Sequence, residues 1–209
     1  MEMKIDKQVK GVRIISGEQA KERRIVLNKL IDLATKAKFD EIILPCIEPE
    51  AVYTDKAGPE ILKQMYVFPD KKNRELCLRP EGTATIQLLA NKFWKVQKDV
   101  KLFYFERCWR YERPQAGRYR EFFQFGVEWI NPRDVKQAKG ELIALAEAMI
   151  STRTTEYTVT DSIQRGLAYY VEDGFEISIP ALGAQKQVLG GGRYAEGIGF
   201  AIGFDRLML

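Results

Sequence analysis

Apolar and polar positions alternate along residues 121–130, EFFQFGVEWI. Phe123, Phe125, Val127 and Trp129 fall on one side, and Gln124, Gly126 and Glu128 on the other. A strand sends successive side chains to opposite faces, so this run predicts a strand with one wall of apolar rings. Its other face sets an amide and a carboxylate side by side, with a glycine making room between them. The preceding run, VKLFYFERCWRYE, reads as an antiparallel partner, joined through RPQAGR.

Other stretches carry helical spacing. SGEQAKERRIVLNKLIDLATKAKF predicts a helix with Ser16 as N-cap and a buried stripe of Val26, Leu30, Leu33 and Ala37. TATIQLLANKFWKV predicts a second helix. A third starts near NPRDVKQAKGELIALAEAMI, with Asn131 as cap, Pro132 as first residue and an apolar face of Val135, Ala138, Leu142, Leu145 and Met149. DEIILPCIEPEAVY reads as a short apolar strand ending at Pro45, and MYVFPDKKNRELCLRPEG as a hairpin turning at Asp70 to Asn73. EYTVT, GLAYYV, GFEISI and KQVLGGGRY read as strands, and GIGFAIGFDRLML as a glycine-rich strand feeding a short helix. Strands flanked by helices without a regular βαβ rhythm predict an α+β fold with an antiparallel sheet.

Composition narrows the chemistry. The chain has 209 residues, a net charge of +4 and no histidine. Ser-His and Cys-His nucleophilic chemistry and most transition-metal sites are excluded, leaving carboxylates, arginines, tyrosines and a hard metal ion on oxygen. The isolated Cys46, Cys77 and Cys108 match neither a disulfide framework nor a zinc motif, and are expected to be small buried hydrophobes in a reducing cytoplasm. No apolar run is long enough for a membrane span, and the N-terminus lacks the apolar core of a secretory signal.

Arginine supply is the first functional clue. Arg110, Arg113, Arg118 and Arg120 crowd the strand–loop–strand, while Arg165, Arg193 and Arg206 follow beside glycines or in the last helix. Guanidinium forks match phosphate geometry. LGGGRYAEGIGFAIGF suggests close backbone approach by a ligand, yet the chain has neither a P-loop nor a strand–GxGxxG–helix unit. In CLRPEGT, Glu81 and Thr83 at a strand end can hold an ammonium group, and Thr83 can equally cap the helix that follows.

These stretches together resemble the histidyl-tRNA synthetase family of class II aminoacyl-tRNA synthetases. FDEIILPCIEPEAVY is similar to motif 1, LRPEGT to the amino-acid-binding turn, and FERCWRYERPQAGRYREFFQFGVEW to motif 2. RGLAYY resembles the family's RGLDYY element, GGRY its glycine-rich loop, and GFAIGFDRL motif 3. The resemblance implies a class II synthetase-like catalytic domain over residues 1–209 that activates histidine with ATP. Mg2+ would bridge the phosphates, transfer to tRNA(His) would follow in a complete system, and the protein would be a homodimer built through motif 1. Glu81 and Thr83 would take the α-ammonium. Gln124, Glu128, Tyr169 and Tyr170 would form the amino-acid pocket, with Glu128 on the imidazole. Arg110 would hold the α-phosphate and the substrate carboxylate, Arg113 and Arg118 the outer phosphates, and Arg206 the γ-phosphate. Arg165 would stabilise charge at the α-phosphate.

Set against the family, the chain is expected to lack the helical insertion after motif 2 and, ending at Leu209 in the motif 3-like helix, the anticodon-binding domain. Ala168 stands where the family has aspartate. Two further readings stay open: a non-catalytic histidine-binding paralogue like the regulatory subunit of ATP phosphoribosyltransferase, and a free-standing ligase for another acceptor.

Overall fold

The computed structural model describes residues 9–54, 56, 58–163, 169–172 and 174–209. In chain order the elements are α1 (Gly17–Lys36), β1 (Asp40–Glu41), β2 (Ile47–Pro49), α2 (Ala51–Thr54), α3 (Pro59–Leu62), β3 (Tyr66–Pro69), β4 (Glu75–Leu78) and α4 (Thr83–Phe93). Then follow β5 (Val100–Trp109), β6 (Glu121–Ile130), α5 (Val135–Ile150), β7 (Thr158–Ile163) and β8 (Gly174–Ser178). A 3-10 turn (Pro180–Gln185), β9 (Gln187–Tyr194), β10 (Gly197–Gly203) and α6 (Phe204–Leu207) complete the chain. Among the described residues, seven strands form one sheet in the order β1-β5-β6-β10-β9-β8-β7, and three form a second in the order β2-β4-β3.

The α+β expectation holds, with one difference. The large sheet is antiparallel except at its edge, where β1 runs parallel to β5. The predicted motif 1 strand is two short pieces. Pro45 has no N–H for a ladder, and the Leu44 amide donates instead to the Glu106 carboxylate at 2.7 Å. Cys46, beside this break, is exposed, whereas Cys77 and Cys108 are buried as expected.

β5 and β6 are the centre of the fold, paired with Tyr104 opposite Gly126 and Leu102 opposite Glu128. Their period-2 pattern splits them as predicted. Phe103 stacks on Phe125 and Phe105 on Phe123, with ring centroids 5.5 and 4.9 Å apart. Such pairs contribute about 0.5–1.5 kcal/mol each beyond the area they bury. This face packs against α1 and α5 in the main core with Leu30, Leu142 and Met149. The stripe of α1 is rotated from the expected one. Val26 and Leu30 are buried, but Leu27 and Ala34 join them, while Leu33 and Ala37 are only partly covered.

Helix α5 starts later than Asn131 and Pro132 suggest. Asp134 is the cap, accepting from the Gln137 amide at 2.9 Å. Asn131 is in a left-handed turn at φ 47°, where its amide nitrogen donates to the carbonyls of Trp94 and Gln97. Ser16 precedes α1 without a side-chain cap. The hairpin turn is as predicted, with Asp70 accepting from the Lys72 and Arg74 amides and Asn73 at φ 55°. The GLAYYV strand falls partly outside the described residues; among those described, Tyr170 makes an isolated bridge to Tyr194 and the Val171 amide donates to the Arg193 carbonyl at 2.9 Å. Among the described residues no helix is long and apolar enough to cross a membrane.

Candidate active site

The opposite face of β5 and β6 carries Tyr104, Gln124, Gly126 and Glu128 and is covered by α4. The room left by Gly126 is filled by the protein itself. A Cβ there would lie 2.0 Å from the Tyr104 ring, and one at Gly82 would lie 2.5 Å from it. The two glycines thus form a slot for one aromatic ring. The hydroxyl of Tyr104 is buried between them, near the Thr83 side chain. Much of the glycine-rich C-terminal stretch has the same use. Gly191 accommodates Phe175, Gly192 accommodates Tyr170, and a Cβ on Gly199 would fall 1.9 Å from a Glu128 oxygen. The ligand approach expected of these glycines is therefore confined to Gly190 and Gly203, which line the cavity.

That cavity has a volume of about 320 Å3. It brings together Glu81, Thr83, Gln124, Tyr169 and Tyr170 with Arg110, Arg118 and Arg206. Arg113 does not join them; its side chain is exposed on the loop between β5 and β6, whereas the neighbouring Glu112 faces the cavity. Arg165 lies outside the described residues, as does Ala168. Glu128 is fully buried, one layer below the cavity wall rather than in it.

One end of the cavity is acidic and aromatic. Glu81 accepts from the amides of Thr83 and Ala84 at 2.7 and 2.8 Å, so it, rather than Thr83, serves the first turn of α4. Burial raises its carboxyl above the usual range, against the pull of these amides and of the Arg110 charge. The Thr83 hydroxyl donates to Glu128 at 2.7 Å, and the Tyr194 hydroxyl donates to the other oxygen at 2.8 Å. Burial outweighs both bonds and pushes the Glu128 carboxyl up to about 8. Rings of Tyr169 and Tyr170 lie 4.7 Å apart beside this acid pair. Gln124 accepts a weak bond from the Cys108 thiol at 3.4 Å and faces the cavity.

Positive charge gathers at the other end. Arg110, just past β5, is anchored by a hydrogen bond from its Nε to the Pro80 carbonyl at 2.9 Å and lies over Phe122. Arg206 donates to the carbonyls of Gly117 and Gln187 at 3.0 and 2.8 Å. Burial lowers its pKa, and the charges of Arg118 and Arg110 lower it further, with Glu112 opposing them. Glu112 also pairs with Arg118 at 2.5 Å. Glu112 and Asp205 also line this end, but Asp205 is paired with Arg13 and Arg23, and the remaining excess of guanidinium charge suits an anion. Sequence reasoning missed Glu112, Tyr119 and Asp205 at this end and Tyr104 and Tyr194 at the other. Glu112 alone carried a signal, as an acid inside an arginine-rich loop.

Chemically, the cavity is bipolar. An ammonium group fits the acidic end, where Glu81 keeps lone pairs beyond those used by the two amides. A carboxylate and phosphates fit the basic end.

The chain matches the family model described as histidyl-tRNA synthetase over residues 11–161. It is 42% identical over 138 residues to the histidine--tRNA ligase of Methanocaldococcus jannaschii, covering 66% of this chain and 33% of that protein. To the histidine--tRNA ligase of Pyrococcus horikoshii it is 39% identical over 154 residues, covering 73% of this chain and 36% of that protein. The chain thus matches about a third of the length of these relatives. The alignment to the Methanosarcina acetivorans histidine--tRNA ligase, at 29% identity, covers 95% of this chain and 74% of that protein. It runs over 306 positions, more than this chain has, so the relative holds internal sequence without a counterpart here. Among solved structures, apo histidyl-tRNA synthetase of S. aureus superposes with a TM-score of 0.78 at 24% identity, covering 97% of this chain and 69% of that one. An ATP phosphoribosyltransferase regulatory subunit/histidyl-tRNA synthetase from Bacillus halodurans gives 0.80 at 17%, covering 97% and 82%. These likenesses show the fold.

Proposed function

We propose that this chain, which belongs to the histidyl-tRNA synthetase family, activates histidine with ATP. A carboxylate oxygen of histidine attacks the α-phosphorus, the bond from that phosphorus to the bridging oxygen breaks, and pyrophosphate leaves as histidyl-adenylate forms. The carrying observation is the bipolar cavity, in which Glu81 lies within the field of Arg110, while Arg118 and Arg206 extend the positive end. No side-chain nucleophile is needed. The reaction gains from holding two anionic reactants in line and from neutralising charge on the phosphates.

In this reading Arg110 spans the substrate carboxylate and the α-phosphate, and Arg118 and Arg206 take the outer phosphates. Glu112 balances Arg118 until the triphosphate arrives. Glu81 receives the ammonium. Glu128 takes the imidazole once the Thr83 hydroxyl, which covers it, gives way between Gln124 and the two tyrosines. Mg2+ would come with the nucleotide, bound through phosphate oxygens, since no group of three or more acidic or thiol side chains converges among the described residues. Transfer to tRNA(His) belongs to a complete or assisted system.

Calorimetric titration with histidine, with a non-hydrolysable ATP analogue, and with each in the presence of the other tests this reading. Both ligands should bind, and the analogue should lose its affinity in Arg206→Ala. Histidine binding that is tight and indifferent to nucleotide, with no nucleotide binding, would instead favour a histidine sensor.

The same reading includes a homodimer. Ile43 and Ile47 are 84% and 51% exposed beside exposed Pro45 and Cys46, on an uncharged stretch. β2 is also an edge strand. An apolar edge of this kind invites a second strand, and a second copy offers the same uncharged surface without repulsion. Ile47→Asp is expected to convert a dimer to a monomer in sedimentation at micromolar concentration. A wild-type protein already monomeric there would remove the dimer from the account.

A further inference from the structure

We propose that the segment formed by residues 11–13 is a positioning element for the nucleotide end of the cavity, strapping the loop between β5 and β6 and fixing Arg206 through Asp205. The proposal rests on the nucleotide reading above for its effect on ATP, but its geometry stands on its own.

Gly11 touches the loop directly. Its carbonyl accepts from the amides of Arg120 and Glu121 at 2.8 and 3.4 Å. At φ 83° it sits so close that a Cβ would lie 2.9 Å from side-chain carbons of both Pro114 and Arg120. Two residues on, the Arg13 guanidinium stands 3.3 Å from the centroid of the Tyr119 ring. It also donates to Oδ1 of Asp205. Arg23 of α1 brings a second guanidinium nitrogen within 2.9 Å of that same oxygen, and Oδ2 accepts from the Phe123 amide at 2.6 Å. Asp205 is 3% exposed. One carboxylate therefore holds the early segment, α1, the start of β6 and the start of α6.

Arg206 closes the circuit. It follows Asp205 and grips the loop at the Gly117 carbonyl. Besides the Tyr111 amide bond to the Gln64 carbonyl, the loop between β5 and β6 is thus tied from Gly11 and Arg13 and again from Arg206, and Asp205 joins these last two ties. Gly11 and Arg13 line no part of the main cavity. Arg13 and Arg23 instead border a second cavity of about 240 Å3, and Tyr119 and Asp205 are the wall the two cavities share. A change at the Arg13 side chain can reach the arginines of the first cavity through Tyr119 and Asp205.

Function would depend on this tie because phosphate clamps act only when held in place; small misplacements far from the chemistry can cost up to about a hundredfold. The segment meets β6 only at its start, at Glu121 directly and at Phe123 through Asp205, and among the described residues neither Gly11 nor Arg13 bonds to Glu81, Thr83, Glu128 or Tyr194 of the histidine end. The histidine requirement should therefore be spared.

The test compares the 209-residue protein with Arg13→Gln, Arg13→Lys and Asp205→Asn. Amide hydrogen exchange at Arg118 and Arg120 is read first, then the ATP and histidine requirements of pyrophosphate exchange. Arg13→Gln is expected to strip protection from the loop amides and to raise the KM for ATP on the order of tenfold. The KM for histidine and the thermal midpoint should stay near wild type. Arg13→Lys should restore part of the loss, because it can still reach Asp205 but cannot stack as a plane on Tyr119. Wild-type protection and ATP use in Arg13→Gln would overturn the proposal. So would equal damage to both substrates together with a lowered midpoint, the mark of a general packing role. Should no variant, wild type included, catalyse exchange, the nucleotide reading falls, and the hydrogen-exchange arm alone decides the strap.

Discussion

Arg110→Ala is expected to lower histidine-dependent pyrophosphate exchange by about a thousandfold while leaving the fold nearly as stable as before. The guanidinium has one hydrogen bond from its Nε, to the Pro80 carbonyl, lies over Phe122, and forms no ion pair among the described residues. Its removal costs the fold about 1 kcal/mol. In the proposed reaction the α-phosphate, in contrast, gathers negative charge in the transition state beside this guanidinium. Removing one preorganised donor at such a site typically costs 10²–10³ in rate. Arg110→Lys should restore little, since a single ammonium cannot span carboxylate and phosphate together. The check is exchange kinetics alongside the thermal midpoint. A wild-type rate in the alanine variant would place the reacting phosphate elsewhere.

The second large effect is at Glu128, where function and stability should move in opposite directions. Burial raises its carboxyl from the usual 4.5 to about 8. Between these values the folded protein keeps a proton that the unfolded chain releases. The unfolded state then binds fewer protons, so stability falls as pH rises through this window. With 1.36 kcal/mol for each pKa unit, the loss reaches up to about 5 kcal/mol above pH 8. Glu128→Gln mimics the protonated acid and keeps a partner for Thr83 and Tyr194. In the absence of ligand it should be more stable than wild type at pH 8.5, close to it near pH 4.5, and should lose this part of the pH slope. Its histidine requirement should nevertheless rise by about thirtyfold or more, as losing one member of a buried, hydrogen-bonded charge pair costs about 2–5 kcal/mol. Parallel pH profiles for the two proteins would mean that Glu128 ionises as an ordinary carboxyl. An unchanged histidine requirement would show that it does not grip the imidazole.

Much of this site could be read from the chain because it is local. Alternation along β6 set Gln124 and Glu128 on one face, and the arginines around the loop were visible as a run. Other features depend on contacts between distant residues. Tyr104 fills a slot made by Gly82 and Gly126, which come from different elements, so neither glycine alone shows what it accommodates. Asp205 is bound by Arg13 and Arg23 from the other end of the chain, and nothing near it in sequence signals that. Glu128 alternated correctly, but only the placement of Thr83 and Tyr194 shows that it lies under the cavity wall. At α5 the local signal misled. Asn131 has the chemistry of a cap, yet tertiary bonds to Trp94 and Gln97 claimed its side chain, and Asp134 took the role. Pro45 marks the boundary that its missing N–H implies, but the strand around it is shorter than its apolar run because Leu44 is held by the side chain of Glu106.

Histidine-dependent exchange of pyrophosphate into ATP by the purified 209-residue protein tests the central claim most directly. The account predicts exchange that requires histidine, is not supported by other amino acids and disappears in Arg110→Ala. Tight histidine binding with no exchange under any condition, or exchange driven by a different amino acid, would contradict it.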